Sequence, residues 1–438
     1  MSFSPLPPRL PPLPASKSAV ICVLDVGTSK IVSLVARLNP VDPSDTLRGR
    51  THRCRILGIG HQRSRGIKGG TVIDMDAAEA AIRCAVDAAE RMAGVQVESV
   101  IVNATGGRLT SRRYGAKVAT TGLAVTQADV HRVLEACTLR GGQQGRAVLH
   151  ALPAGYSLGE TRSIQDPRGM VGDELGAEMH LLSCDAAAAR NLMLTVERCH
   201  LGVNAIVATP YASGLSVLAD DEAELGTVLV DMGAGTTSIS VFSSGHLAHA
   251  DSFAVGGNHV TMDVARGLGI TLADAERLKT LYGACLTSLS DESETIAVVP
   301  AGEDGERPAH LPKAQLISII RPRVEEILEL VRDKLKNASL PPHAGRRIVL
   351  TGGACQLTGM QAAVKRIVPG QVRIGRPLGI KGLPESAKSP AFAAAVGLLV
   401  YPQVSGIEHF RPSRRPVIPE AQAVGYFGRV GRWLKDSF

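Results

Sequence analysis

Two short segments of this chain share one chemical plan. Asp25-Val-Gly27-Thr28-Ser29-Lys30 and Asp231-Met-Gly233-Ala-Gly235-Thr236-Thr237 stand 206 positions apart. In each, an apolar strand delivers an aspartate near its end, a Gly and hydroxyl turn follows, and a β-branched strand returns. Such a turn offers converging backbone N–H groups and hydroxyls to phosphate oxygens, because glycine lets the backbone approach closely. The aspartate at its mouth suits a hydrated Mg²⁺, which keeps several waters and takes one or two carboxylates. A single Gly-Thr turn is commonly no more than a turn. Two copies facing each other make a clamp for an oligophosphate.

Further segments complete a nucleotide pocket. RRIVLTGGACQLTGM reads as a strand, the pair Gly352 and Gly353, then a helix starting near Thr358; glycine there lets a flat base or ribose lie on the backbone. FAVGGNHVTMDVARGLG places Gly256 and Gly257 before a helix, and in TLADAERLKTLYG Glu276 and Lys279 share one helix face. Taken alone, that last pair is a surface ion pair. No G-x-x-x-x-G-K-[ST] occurs, so this is not a P-loop NTPase. Gly155-Tyr-Ser157-Leu-Gly159 is a literal G-x-S-x-G, but Pro153 interrupts the strand that a nucleophile elbow requires, and the following text is loop-like. His246, His249 and His259 lack metal-site spacing.

The elements that position these residues alternate between strand and helix, which implies an α/β architecture. Hairpins are expected over 19–38 and 226–242, helices over 74–92, 126–138 and 185–199, and strands ending near 104, 155 and 208. Composition fits a globular protein: of 438 residues 45% are hydrophobic and 20% charged. The net charge of +7 is unevenly spread, with 11 basic and 3 acidic residues in 1–70, 6 and 3 in 401–438, and a mildly acidic body between them. Aromatics are only 3%, so a basic surface interleaved with stacking rings, and with it nucleic-acid binding, is not expected. The longest apolar stretch, Ala391–Tyr401, falls short of a bilayer span. The eight cysteines form no CxxC pair and read as reduced core residues. Prolines at 5, 7, 8, 11, 12 and 14 rule out a signal-peptide h-region, and residues 1–18 are expected to be a disordered, polyproline-like tail.

The C-terminus changes character. Residues 403–420 are rich in Pro, Ser and Arg without periodicity and read as a linker. Wound at about 100° per residue, 421–438 separates cleanly into two faces. Val424, Phe427, Val430, Trp433, Leu434 and Phe438 share one side with the chain's only Trp, while Arg429, Arg432 and Lys435 lie opposite. This describes a helix lying in the headgroup region of an anionic membrane, disordered in solution because Gly425, Gly428 and Gly431 disfavour helix in water.

The two Asp-x-Gly hairpins, the Gly-Gly turn and the AERLK helix resemble the actin, Hsp70 and sugar-kinase ATPase superfamily. Within it GGTVIDMDAAEAAIRCAVDAAERMAG, RAVLHALPAGYSL, LGTVLVDMGAGTTSISVF, IVLTGGACQLTGM, QVRIGRPLGIKGL and SPAFAAAVGLL look like segments of the FtsA family of bacterial cell-division proteins, in that family's order from about Val20 to Phe438. The resemblance implies an actin-like α/β fold with two lobes around a nucleotide cleft and a 1C subdomain peculiar to the family. The implied division is 19–95 and 166–205 for subdomain 1A, 96–165 for 1C, 206–245 and 336–388 for 2A, 246–335 for 2B, and 389–402 for a last helix of 1A. It implies ATP between the hairpins, with Gly27, Thr28, Ser29, Lys30, Gly233, Gly235, Thr236 and Thr237 at the phosphates. Asp25 and Asp231 would hold Mg²⁺ through water, and Gly256, Gly257, Glu276, Lys279, Gly352 and Gly353 would lie at the nucleoside side. It also implies filaments on the cytoplasmic face of the inner membrane at the division site. There the tail would bind lipid, subdomain 2B would bind the C-terminal peptide of the tubulin-like ring protein FtsZ, with Arg323 at the contact, and later division proteins would be recruited. No residue that activates water is identifiable, so binding with slow or negligible hydrolysis is expected. The alternatives are an actin-fold kinase or a PilM-like assembly ATPase.

Overall fold

A computed structural model describes residues 8–409 apart from 12, 42–49, 107, 142, 301–308, 339 and 341–343. The linker beyond 409, the helix expected over 421–438 with all its lipid-facing residues, and residues 1–7 lie outside the described residues.

The chain opens with β1 (Ala19–Val26), β2 (Lys30–Pro40) and β3 (His52–Arg63), an antiparallel meander, followed by the two-residue strands β4 (Ile67–Lys68) and β5 (Thr71–Val72). Helix α1 (Met75–Ala93) begins at Asp74, whose carboxylate accepts the Ala77 N–H at 3.1 Å, and ends at Gly94 in the left-handed region. Its apolar face packs so closely on β3 that a Cβ at Gly60 would lie 1.6 Å from the Ala85 carbonyl oxygen. Strand β6 (Ser99–Ala104) then pairs parallel with β1.

Between β6 and the next strand of this sheet lies an insert. It comprises β7 (Thr110–Ala119), α2 (Gln127–Gly141), β8 (Arg146–Leu158), β9 (Thr161–Ile164) and β10 (Glu174–Asp185), with sheet order β7-β10-β8-β9 and its own core around Val133, Leu175 and Met179. Helix α3 (Ala186–Arg198) and β11 (Gly202–Ala208) return to the first sheet. The insert thus runs from about 105 to 185, not 96–165: β6 belongs to the first sheet, and β10 is the insert's central strand, antiparallel to β7 and β8. The sequence 155–158 falls inside β8, with Ser157 opposite Gly176, and Gly159 lies in the turn to β9, so no strand-to-helix elbow exists there.

Helix α4 (Thr209–Val217) and the short α5 (Asp220–Leu225) lead to the second lobe. Its sheet, ordered β14-β13-β12-β17-β18, uses β12 (Thr227–Met232), β13 (Thr237–Ser243) and β14 (His246–Phe253), then β17 (Arg347–Thr351) and β18 (Gln371–Ile374). Between β14 and β17 come α6 (Gly257–Leu268), α7 (Leu272–Tyr282), the small pair β15 (Thr295–Val298) and β16 (Ala309–Pro312), and α8 (Lys313–Asn337). Because β14 pairs with β13, the unit expected to begin at 246 begins after 253. Helix α9 (Met360–Ile367) packs under β18. The chain recrosses at β19 (Ile380–Lys381), which joins β3 and completes the six-stranded order β11-β6-β1-β2-β3-β19.

Helix α10 (Ala393–Val404) is the apolar stretch of the sequence, and every residue in it except Gln403 is buried. Only together with its flanking 3₁₀ turns, over Pro390–Ile407, is the helical run long and apolar enough to be mistaken for a span, yet α10 is a core helix, pressed on α4 so tightly that a Cβ at Gly397 would sit 1.7 Å from the Ala212 carbonyl oxygen. These helices are covered on nearly every face, which accounts for the almost unbroken apolar run of α10.

Residues 8–18 differ from the loose tail expected. Leu10 and Leu13 pack on the first-lobe core, and the Arg9 guanidinium donates to the Val148 and Leu149 carbonyls.

Candidate nucleotide site

The two repeated segments fold into congruent hairpins. The first closes with Val26 opposite Ile31 and the second with Met232 opposite Thr237, leaving four-residue turns in both. Gly27 N–H donates to Lys30 O at 3.0 Å, and Gly233 N–H to Thr236 O at 2.9 Å. A Cβ at Gly27 would lie 2.8 Å from the Lys30 oxygen and one at Gly233 3.0 Å from that of Thr236, which explains the glycine in each turn. The turns meet: a Cβ at Gly235 would fall 2.4 Å from Thr28 Oγ1. Thr28 Oγ1 also accepts the Gly70 N–H at 3.3 Å, while Ser29 is exposed.

Asp25 and Asp231 are both buried at the hairpin mouths. Asn103, at the end of β6, donates from Nδ2 to Asp25 Oδ1 at 2.6 Å and accepts the Val26 N–H at 2.7 Å. Its Nδ2 also lies 3.2 Å from Thr209 Oγ1. Ser213 of α4 donates to Asp231 Oδ2 at 2.5 Å. Burial pushes the Asp25 carboxyl up to about 6, against the pull of Lys30 and with a further push from Asp231. Asp231 is raised too, chiefly by burial, with the Ser213 bond and Lys30 opposing. The Lys30 charge acts on both, its own pKa lowered by burial; its Nζ donates to Ala391 O at 2.5 Å and lies 3.9 Å above the Phe392 ring. Two desolvated carboxylates facing one partly shielded ammonium suit a divalent cation. Among the described residues no group of three or more His, Cys, Asp or Glu forms a cage, so waters and phosphate oxygens would supply the remaining ligands, as hydrated Mg²⁺ prefers.

The remaining predicted residues gather on the second lobe. Gly257 and Asn258 N–H groups donate to Gly233 and Ala234 carbonyls at 2.9 and 2.7 Å, so the N-terminus of α6 holds the second turn in place. A Cβ at Gly256 would lie 2.5 Å from Gly233 O. Thr237 Oγ1 donates to Val255 O at 2.8 Å. Lys279 Nζ contacts Glu276 at 2.6 Å, Thr261 Oγ1 at 2.9 Å and Gly257 O at 3.3 Å, and a Cβ at Gly257 would touch Ala354 at 3.2 Å. Glu276 and Lys279 are therefore an ion pair, as their spacing alone suggested, but one anchored at the mouth of α6. Gly352 has φ +83°, and a Cβ there would lie 2.4 Å from Asp231 Oδ1. Gly353 borders Ala391. The helix expected near Thr358 starts at Met360, after a 3₁₀ turn over Gly353–Gln356.

The structure thus brings together the hairpins, both aspartates, the α6 glycines, the Glu276–Lys279 pair and the Gly352–Gly353 turn. It adds Asn103, Thr209 and Ser213, which sequence reasoning missed. A lone Asn closing the apolar run of β6 was a readable signal for Asn103; Ser213 lies in a wholly buried stretch and offered none. Arg323 stands apart on α8: its Nε donates to Asp263 of α6 at 2.6 Å, and it also pairs with Glu326.

Two sheets joined by a buried helix pair, with matching aspartate hairpins at their junction, define the actin-like class. Solved structures agree on the fold. The PilM–PilN type IV pilus biogenesis complex matches with TM-score 0.60 at 15% identity, covering 88% of this chain and 98% of that one. MreB5 of Spiroplasma citri bound to ADP matches with TM-score 0.53 at 14% identity over 89% of this chain and 97% of its own. The insert matches the model described as "SHS2 domain inserted in FTSA" over 106–183, and residues 228–397 match that of "Cell division protein FtsA". Cell division protein FtsA of Rhizobium meliloti is 50% identical over 98% of both chains, and that of Escherichia coli K12 is 33% identical over 97% of this chain and 99% of its own. The chain belongs to the FtsA family of cell division proteins.

Proposed function

We propose that the chain binds ATP with Mg²⁺ between its two hairpins, polymerises on the cytoplasmic face of the inner membrane at the division site, and tethers the FtsZ ring there while later division proteins assemble. The observation that carries this reading is the pair of congruent turns, each backed by a buried aspartate with its own neutral donor, in a chain of this family. Turn N–H groups and the Thr28, Ser29 and Thr236 hydroxyls bind and orient the phosphates, while Thr237, also expected there, is fully buried with its hydroxyl given to Val255 O and so holds the turn instead. Asp25 and Asp231 hold the hydrated cation, Lys30 supplies positive charge beside them, and Gly256, Gly257, Gly352 and Gly353 with the Glu276–Lys279 pair frame the nucleoside. Bound Mg²⁺ supplies charge neutralisation for the polyphosphate. Because the turns already touch through Thr28 and Gly235, a phosphate chain entering between them ties one lobe to the other.

The tail, residues 421–438, is the proposed lipid anchor, with Val424, Phe427, Val430, Trp433, Leu434 and Phe438 entering the membrane and Arg429, Arg432 and Lys435 meeting anionic headgroups. The FtsZ C-terminal peptide is proposed to lie on the α6–α8 unit near Arg323. Electron microscopy on anionic lipid monolayers with ATP is expected to show membrane-bound polymers. Deleting 424–438 should abolish liposome co-sedimentation, and undiminished binding would remove the anchor from this reading. Asp231→Ala should make ATP binding insensitive to Mg²⁺; an unchanged Mg²⁺ dependence contradicts the metal assignment.

A further inference from the structure

Strand β8 pairs with β10 along its length, but with β9 only at Tyr156 and Leu158. Its first half therefore presents an open edge. It also carries an irregularity, since the pairing jumps from Val148 opposite Ser183 to His150 opposite Leu182. Open edges and bulges leave backbone groups in need of partners. Here they are met by the two ends of the described chain. The Arg9 fork takes the Val148 oxygen at 2.6 Å together with that of Leu149, and His409 N–H donates to Ala151 O at 2.9 Å.

The preceding residue seats the C-terminal root on the same strand. Glu408 is buried, and its Oε1 lies 2.8 Å from His150 Nδ1. His150 Nε2 accepts the Ala208 N–H at 2.9 Å, so the proton sits on Nδ1 and the imidazole is neutral toward Glu408. The charge facing the Glu408 carboxylate is then Arg9, whose guanidinium is lowered to about 10 by burial with Glu408 acting in the opposite direction. Further back, Gln403 Oε1 accepts both the Thr51 and His52 N–H groups at 3.0 Å, and His52 Nε2 donates to Lys17 O at 2.9 Å.

We propose that the N-terminal segment around Arg9, Leu10 and Leu13 is a clip that seals the β8 edge and locks the root of the C-terminal tail, residues 403–409, into the junction between the first lobe and the insert. An arginine is suited to this because its planar fork serves two carbonyls while its charge offsets a buried carboxylate. Without it, Glu408 is a buried anion beside neutral groups, the His150 ring and the Tyr401 hydroxyl, an arrangement that favours release of the root. The segment thereby sets where the tail leaves the body.

The test uses the full chain without lipid or nucleotide, so its outcome is independent of the membrane reading. Protease V8 cuts after glutamate, and Glu408 is shielded while the root is docked. Arg9→Ala and a chain lacking residues 1–13 should be cleaved at the Glu408–His409 bond roughly 10-fold faster than the parent, as read by mass spectrometry of the released C-terminal peptide; this factor corresponds to about 1.4 kcal/mol. Arg9→Lys, which keeps the charge and loses the fork, should fall between. Adding a synthetic peptide of residues 1–18 to the truncated chain should restore protection. If the truncated chain fails to fold, Arg9→Ala decides alone. Equal cleavage of Arg9→Ala and parent, at matched melting temperatures, overturns the proposal.

Discussion

Asp25 and Asp231 are steadied by neutral donors drawn from different elements, and the two supports are unequal. Asn103 serves both the Asp25 carboxylate and the Val26 N–H, whereas Ser213 serves Asp231 alone. Losing one partner of a buried hydrogen bond costs about 1–3 kcal/mol for each group left unsatisfied. Asn103→Ala strands two groups and Ser213→Ala one, so urea denaturation should show the larger loss for Asn103→Ala. Both variants should weaken ATP binding. A larger loss for Ser213→Ala would refute the assignment of roles. At this scale the turns were legible because their chemistry is local: aspartate, glycine and hydroxyl follow one another within seven residues. The supports were not, since Asn103 reaches Asp25 across 78 positions and no local period encodes that contact.

At the scale of elements, the insert is joined to the second lobe by a buried polar relay. His180 of β10 donates from Nδ1 to Leu247 O of β14 at 2.9 Å and takes the Ser111 hydroxyl on Nε2, while Ser111 Oγ accepts the Ala250 N–H at 3.1 Å. Burial lowers the His180 pKa from 6.5 to about 3, the Leu247 bond opposing. The unfolded chain therefore takes up this proton near 6.5 and the folded chain only near 3. Stability from this group is complete above the upper value and falls as pH drops through the window, by up to about 1.4 kcal/mol per unit. His180→Gln should lower stability at pH 7 yet flatten the acid limb of a stability-versus-pH series; an equally steep limb would exclude His180 as its source. Strand and helix positions were readable from periodicity and caps, as with Asp74 and Asp185, which accept from Ala77 and Ala187. Which sheet a strand joins was not readable: β10 and β14 look alike as alternating runs, and only their partners separate insert from second lobe.

Over the whole molecule, the lobes meet on α4 and α10, and their apolar sequences mark a shared core with no period to tell a helix axis from a strand. Gly397→Val should overpack this contact, since even a Cβ comes within 1.7 Å of the Ala212 oxygen. Overpacking of this kind costs about 1–3 kcal/mol. Denaturation should show at least that loss, with reduced nucleotide affinity because Ser213 lies on the same helix. Wild-type stability in Gly397→Val would contradict the packing. The insert presents a different property at this scale. Thr110 on its first strand pairs with Ser183 on its last, so the chain enters and leaves through one narrow stalk. A unit with neighbouring ends and a separate core is exchangeable. Chimeras cut at that stalk can lengthen, reshape or replace the insert without rerouting the sheet beneath, and so offer a means of separating what the insert does from what the two hairpins do.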